Sequence, residues 1–309
     1  MKERLLLTGA HGMVGRNILE HPMAVEWELL TPSRRELDLS DGALTEAYVR
    51  STKPDIVVHA AGRVGGIQAN IANPVAFLVE NIDMGRNLLL ACRDAGVRRF
   101  LNLGSSCMYP RDRSDLLRED DLLSGALETT NEGYALAKIF STRLCEYISR
   151  EDESFHYKTL IPCNIYGRHD KFDPAVSHLI PAVIRKVHDA KLRGEGEVAV
   201  WGDGQARREF MYAEDLADAV MRAAADITII PPLMNIGIGR DYTIDEYYRM
   251  AAVVIGWDGE LRHDISKPAG MLKKQVDISK QRAWGWSPTH SLMEGIAKTY
   301  DFFLKGTDR

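Results

Sequence analysis

The sequence predicts an α/β protein, a doubly wound parallel sheet carrying a smaller α/β substrate-binding lobe. Three observations predict it. Short apolar runs alternate with amphipathic segments through the first half of the 309 residues, the pattern of strand–helix–strand crossovers. The first apolar run ends in the spaced glycines Gly9, Gly12 and Gly15. Beyond Tyr166 the periodicity turns irregular, with prolines, glycines and basic loops that set a second lobe apart. The larger domain is expected over residues 1–165, 205–235 and 286–309, and the smaller over 166–204 and 236–285.

Arg4 to Thr8 reads as the first strand, followed by Gly9-Ala-His11-Gly12-Met13-Val14-Gly15 and a helix through Glu20. Glycines at this spacing allow a tight turn and close backbone approach to a dinucleotide pyrophosphate, so the sheet is expected to be of the Rossmann type. Trp27 to Thr31 is a second strand, ending in Pro32-Ser33-Arg34-Arg35. An acidic residue there would grip a ribose 2′-hydroxyl, whereas two arginines offer donors to a 2′-phosphate, which argues for NADP(H). The same pair also reads as a solvated basic turn. Asp38 and Asp41 follow, either bordering an adenine ring or capping a helix. Asp55 to His59 is a third strand, running into Ala60-Ala61-Gly62, where small residues let the strand end sit against a cofactor or against a helix. His59 lies among β-branched residues and reads as a satisfied core histidine. Pro74 to Ala95 is a long helical pattern, and Arg98 to Leu103 a buried fourth strand.

The chemistry concentrates after that strand, in Gly104-Ser105-Ser106-Cys107-Met-Tyr-Pro and in Tyr134-Ala-Leu-Ala-Lys138. Tyr134 and Lys138, four apart on a helix, share one face. An adjacent ammonium is expected to lower the phenol pKa, and Ser105 completes a device that passes a proton to a carbonyl oxygen. Tyr157 to Ile161 reads as a strand ending in Pro162-Cys163-Asn164. Val183 to Leu192 reads as a helix and Glu197 to Trp201 as a strand, while Asn235 to Gly239 and Lys267 to Asp277 read as loops.

A formal charge of −5 without a basic run argues against nucleic-acid binding. No apolar run reaches the ~18 residues of a membrane span. The four cysteines, Cys92, Cys107, Cys145 and Cys163, form no metal-spaced pairs, which fits a reducing cytoplasm and no metal site.

Taken together, Thr8-Gly-x-x-Gly-x-x-Gly15, Ser105 and Tyr134-x-x-x-Lys138 resemble the extended short-chain dehydrogenase/reductase superfamily. Further stretches are similar to the GDP-L-fucose synthase family within it. They are Val64-Gly-Gly-Ile67, Gly104 to Pro110, Asn164-Ile-Tyr-Gly167, Ser177-His-Leu-Ile-Pro181, Trp201-Gly-Asp-Gly204, Arg208-Glu-Phe210 and Lys267-Pro268. The resemblance implies an NADPH-dependent 3,5-epimerase and 4-reductase of a GDP-4-keto-6-deoxy sugar, most directly the mannose derivative. Substitutions in the loops leave room for a heptose or a colitose-type 3,6-dideoxyhexose, and a non-catalytic NADP sensor is the remote alternative.

By that resemblance, Ser105 and Tyr134 hold the ketone oxygen, Lys138 holds the nicotinamide ribose, and Cys107 and His178 exchange protons beside the ketone. The rival readings are Cys107 as a small buried hydrophobe, which its place two residues after Ser105 opposes, and His178 as a helix cap or core residue. The cofactor wall is expected from Gly9, His11, Gly12, Met13, Val14, Gly15, Arg34, Asp38, Leu39, Ala60, Ala61, Gly62 and Leu103, with Tyr134, Lys138, Pro162, Asn164 and His178. Substrate contacts are expected from Ser106, Cys107, Asn164, His178, Arg185, Trp201, Arg208 and Lys274. Of the pairs Arg207–Arg208 and Lys273–Lys274, motif register selects the second member, the first being solvated. His11 stands where family members often carry an arginine, and Gly133 where they often carry a proline. A homodimer is expected through the two long helices before and containing Tyr134.

Overall fold

The computed structural model describes residues 2–113, 115–173, 177–266 and 272–307. Lys267-Pro268, Pro174 and Met271 lie outside the described residues. In chain order, β1 (Arg4–Thr8), α1 (Met13–Leu19), β2 (Glu28–Leu30), α2 (Gly42–Thr52) and β3 (Ile56–His59) come first. Next are α3 (Ile67–Ala72), α4 (Pro74–Asp94), β4 (Arg99–Leu103), α5 (Glu132–Glu151), β5 (His156–Pro162), β6 (Asn164–Tyr166) and α6 (Leu179–Arg193). They are followed by β7 (Glu197–Trp201), β8 (Arg207–Arg208), β9 (Phe210–Tyr212), α7 (Ala213–Ala225), β10 (Leu233–Ile236) and β11 (Tyr242–Thr243). The chain closes with α8 (Ile244–Ile255), β12 (Glu260–Asp264), β13 (Lys273–Lys274), α9 (Ser279–Trp284) and α10 (Leu292–Thr307).

Local chemistry explains the boundaries. Asp41 caps α2 by accepting the Leu44 N–H at 3.0 Å. Thr243 and Glu246 form a reciprocal capping box on α8, and Gly256, at φ +73°, ends that helix. Leu5, Leu6, Leu7, Ile56, Val57 and Val58 are all fully buried, as central parallel strands covered on both faces must be.

The main sheet has the order β10-β5-β4-β3-β1-β2, and all five pairings are parallel. The chain leaves β1 in one direction towards β2 and in the other towards β3, so a crevice opens outside the carboxyl ends of these strands. The second strand is shorter than the Trp27–Thr31 run suggests. Asn235 and Ile236, read as the start of a loop, instead end an edge strand over 233–236: the glycines that follow suggest a loop, but Leu233, Met234 and Ile236 are buried.

The smaller lobe has its own core, with Ile184, Val200, Phe210, Tyr247 and Ile255 packed together. Leu292, Ile296 and Phe303 of α10 join that core, although residues 286–309 were expected with the sheet. Conversely Val276 and Ile278, expected in the smaller lobe, pack into the sheet's core. The apolar spacing of α10 identifies a buried face without saying which core receives it.

Candidate active site

One cleft of about 890 Å³ runs along the carboxyl ends of the sheet strands, bounded by Thr8, Ala60, Leu103 and Pro162. The first glycine loop forms its floor. Gly9 has φ +73°, and a Cβ there would stand 2.6 Å from the Ala61 nitrogen and 2.7 Å from the Ala60 carbonyl. Only glycine lets the first and third strand ends meet so closely. The Ala60–Gly62 turn is held in turn by Asn81 of α4, buried at 5 % exposure. Its side chain accepts the Arg63 N–H at 2.8 Å and donates to the Phe77 and Arg63 carbonyls. His59 donates nothing to the cleft chemistry: it pairs with the Thr8 hydroxyl at 2.8 Å, and burial pushes its pKa down to about 3.

Arg34 and Asp38 line the cleft and face each other at 3.4 Å, Arg34 exposed and Asp38 partly buried. Hydrogen bonds from the Ser40 hydroxyl and N–H lower the Asp38 pKa. The glycine cradle and the Arg34 guanidinium fit a dinucleotide carrying an extra phosphate.

At the far end, the turn Ser106–Met108 follows β4, with Ser105 at its start. The Ser105 hydroxyl accepts the Cys107 N–H at 3.4 Å and also interacts with the Cys107 thiol and the Tyr134 phenol. Lys138, one turn after Tyr134 on α5, is 7 % exposed and donates to the Leu103 carbonyl at 2.8 Å. Its ammonium is 5.8 Å from the Tyr134 ring centre. The expected lowering of the phenol pKa is overridden: burial pushes Tyr134 up, the Cys107 charge adds to this, and only the Ser105 hydrogen bond opposes it. Burial also brings Lys138 down to about 8. Tyr134 is therefore held protonated, as a proton donor must be.

Cys107 is buried at 6 % exposure, and desolvation raises its pKa while Lys274 and Lys138 pull the other way. His178 stands at the N-cap of α6, open to the cleft, yet the surrounding protein lowers its pKa. Arg208 and Lys274 complete that wall. Register pairs Lys274 with Arg208 and Lys273 with Arg207, and successive side chains on a strand point to opposite faces. Arg207 and Lys273 accordingly meet Asp241 outside the cleft, at 2.8 and 3.8 Å.

The turn at Cys107 is anchored from a distance. Tyr109 donates from its hydroxyl to Asn235 Oδ1 at 2.5 Å, and Asn235, fully buried, also donates to the Leu117 and Asp277 carbonyls.

The match to a family model settles the class: residues 5–237 match the NAD dependent epimerase/dehydratase family. The chain belongs to that family. A "GDP-L-colitose synthase" from Yersinia pseudotuberculosis is 54 % identical over 97 % of this chain and 98 % of the relative. A "GDP-L-fucose synthase" from Azorhizobium caulinodans is 47 % identical over 99 % and 98 %. Among solved structures, a "GDP-D-glycero-L-gluco-heptose synthase" from Campylobacter jejuni, in the presence of NADPH, superposes with a TM-score of 0.89 at 27 % identity. That structure's likeness covers 98 % of each chain.

Not every residue singled out in this epimerase/dehydratase chain reaches the cleft. Ser106 is buried at 3 % exposure and outside its wall. Arg185 turns along α6 to Asp189 at 2.9 Å, and Trp201 projects from β7 at 56 % exposure with Lys186 5.6 Å from its ring. A helix or strand pattern assigns neither side chain to the lobe's inner side. Sequence reading missed Glu128, Thr130 and Asn131, which line the cleft just before α5. Glu128 accepts the Thr130 N–H at 3.2 Å and faces Arg208 and Lys274 electrostatically. The polar run Glu128-Thr-Thr-Asn131 next to Tyr134 was the available signal.

Cys92 and Cys145 pack in a third core, and all four cysteines are free. Among the described residues no helix is long and apolar enough to cross a membrane, and no group of three His, Cys, Asp or Glu could hold a metal ion.

Proposed function

We propose that the chain is an NADPH-dependent enzyme that epimerises and then reduces a GDP-4-keto-6-deoxyhexose. The observation that carries this reading is that Ser105, Cys107, Tyr134, Lys138 and His178 all line one cleft. The names of relatives 54 % and 47 % identical over nearly the whole chain support the substrate class. Bound NADPH supplies the hydride. Ser105 and Tyr134 hold the ketone oxygen, and Tyr134 gives it a proton as C4 is reduced, so hydride and proton together make the alcohol. Before that, the ketone acidifies the C–H bonds at C3 and C5. Cys107 and His178 act there, one taking a proton and the other returning it on the opposite face. Arg208 and Lys274 supply positive charge for the diphosphate.

Incubating the protein with GDP-4-keto-6-deoxymannose in heavy water without NADPH tests the epimerisation. Deuterium is expected at C3 and C5, and none at either position would leave a plain 4-reductase. The 54 % identity to a colitose synthase favours a second reading, in which the substrate lacks the C3 hydroxyl and only C5 is inverted. Faster turnover of the 3,6-dideoxy ketone than of the mannose derivative would select it.

The Lys138 pKa of about 8 gives a pH dependence. Raising pH through that value removes the charge that stabilises the Tyr134 phenolate after proton transfer, so kcat/KM, which reports the free enzyme, should fall above pH ~8. A flat profile from pH 7 to 9.5 would contradict the role given to Lys138.

We also propose a homodimer through α4 and α5, in a cytoplasmic enzyme whose thiols stay free. Phe77, Leu88, Leu89 and Ile139 face the chain's own core. Val75 and Val79 of α4, 72 % and 46 % exposed, and Leu136 of α5, 41 % exposed, offer the apolar surface instead. Sedimentation at micromolar concentration distinguishes the two states, and a monomer there would reject the pairing.

A further inference from the structure

Glu209 lies between Arg208 and Phe210, is fully buried, and forms no ion pair among the described residues. Its carboxylate binds backbone instead. Oε1 accepts the N–H groups of Ile238 and Gly239 at 2.7 and 2.8 Å, and Oε2 accepts the Val276 N–H at 2.8 Å. Its own N–H donates to the Lys274 carbonyl at 3.2 Å, and its carbonyl accepts from Asn164 at 3.1 Å. Gly237 runs so close that a Cβ there would stand 2.5 Å from Glu209 Oε1. One side chain therefore joins β8, the turn after β10 and the segment that carries β13.

That segment matters because Lys274 sits on it. Lys274 lines the cleft and interacts electrostatically with the Cys107 thiol, favouring its ionised form more than Ser105 or Lys138 does. The pairing β8·β13 is only two residues long. Beyond it the segment is held by Leu117, bonded to Gln275 and Asp277 at 2.9 Å each, by Asn235 at the Asp277 carbonyl at 3.0 Å, and by Glu209 at Val276. A buried carboxylate stripped of water is costly; burial pushes the Glu209 pKa up to about 7 even with three N–H donors. Both oxygens must accept, because the N–H groups reach the side chain from two sides, and a carboxylate offers acceptors on both.

We propose that Glu209 is a positioning residue that fixes the Lys274 strand against Cys107 and thereby sets how readily Cys107 exchanges protons. It acts through Lys274 and touches no substrate. The inference rests on the reading of Cys107 as a proton-transfer group, but its test needs no sugar.

In Glu209→Gln the amide oxygen still accepts from Ile238 and Gly239, whereas the amide nitrogen faces the Val276 N–H, donor against donor. The Val276 anchor alone is lost. Alkylation of Cys107 by iodoacetamide, followed by peptide mass spectrometry from pH 6 to 10, reads its ionisation in the full-length protein. Lys274→Met should shift the Cys107 profile upward by about one unit. Glu209→Gln should shift it the same way, and the double variant no further than Lys274→Met. A merely structural role would lower thermal stability and leave the alkylation profile in place. An unmoved profile in Glu209→Gln, or shifts that add in the double variant, would overturn the proposal. If Glu209→Gln does not fold, Glu209→Asp replaces it, one methylene too short to reach all three N–H groups. Failure of both to fold assigns Glu209 to stability and overturns the positioning role. Whether the sugar assignment is right is decided separately by the heavy-water experiment.

Discussion

Tyr134→Phe is expected to lower kcat for ketone reduction by about 10²–10⁴-fold, the usual worth of a positioned general acid. The phenol is where the structure concentrates its proton chemistry. Burial keeps it protonated, the Ser105 hydroxyl contacts it, and Lys138 is held one helical turn away by the Leu103 carbonyl. Removing the hydroxyl deletes one oxygen and leaves the ring in a half-buried site, so folding should be little changed. Stopped-flow or steady-state oxidation of NADPH at 340 nm gives the rate, and intrinsic fluorescence gives the NADPH affinity. A variant with kcat within threefold of the parent would mean that another group, such as Ser105 through water, protonates the ketone.

Gly9→Val should destabilise the protein by about 3–5 kcal/mol and abolish tight NADPH binding. Two costs add. A side chain at φ +73° is forced into left-handed backbone, about 1–2 kcal/mol, and for a β-branched residue at the upper end. Its Cβ would also stand 2.6 Å from the Ala61 nitrogen, which overpacks the junction of β1 and β3 by a further ~1–3 kcal/mol. The strand ends must part, and with them the cradle for the dinucleotide phosphates. Urea denaturation measures the first effect and NADPH titration the second. An unchanged midpoint with unchanged affinity would show that the loop relaxes freely.

Much of this was legible because local patterns and global fold agree in the first half of the chain. β1, β3 and β4 are short apolar runs in sequence and central strands in space, and Tyr134 and Lys138 meet as helical spacing requires. Motif register alone separated Arg208 from Arg207 and Lys274 from Lys273, and the physical reason, alternation of side chains on β8 and β13, appears only in the fold. What was not legible depends on distant partners. Glu209 looks like any polar residue between Arg208 and Phe210, yet its hydrogen-bond partners lie 29, 30 and 67 residues away. Glu128 was hidden in a polar loop, and the charges it faces, Arg208 and Lys274, are distant in sequence. Trp201 and Arg185 were drawn towards the cleft by motif, but the side chains of a surface strand and helix take their direction from the lobe around them. The phenol pKa was misjudged because an i,i+4 ammonium is visible in sequence and desolvation is not.

The bond from Tyr109 to Asn235 spans 126 residues, and it has a temporal meaning. The dinucleotide cradle closes early in the chain, with Gly9 meeting Ala60 and Ala61 and Asn81 of α4 fixing the turn that follows. The turn that carries Ser105 and Cys107 cannot acquire its Tyr109 anchor until β10 has emerged and docked beside β5. Contacts of such separation form late, after the loop-closure entropy has been met. A nascent or truncated chain would therefore have the cofactor cradle before it has a fixed catalytic turn.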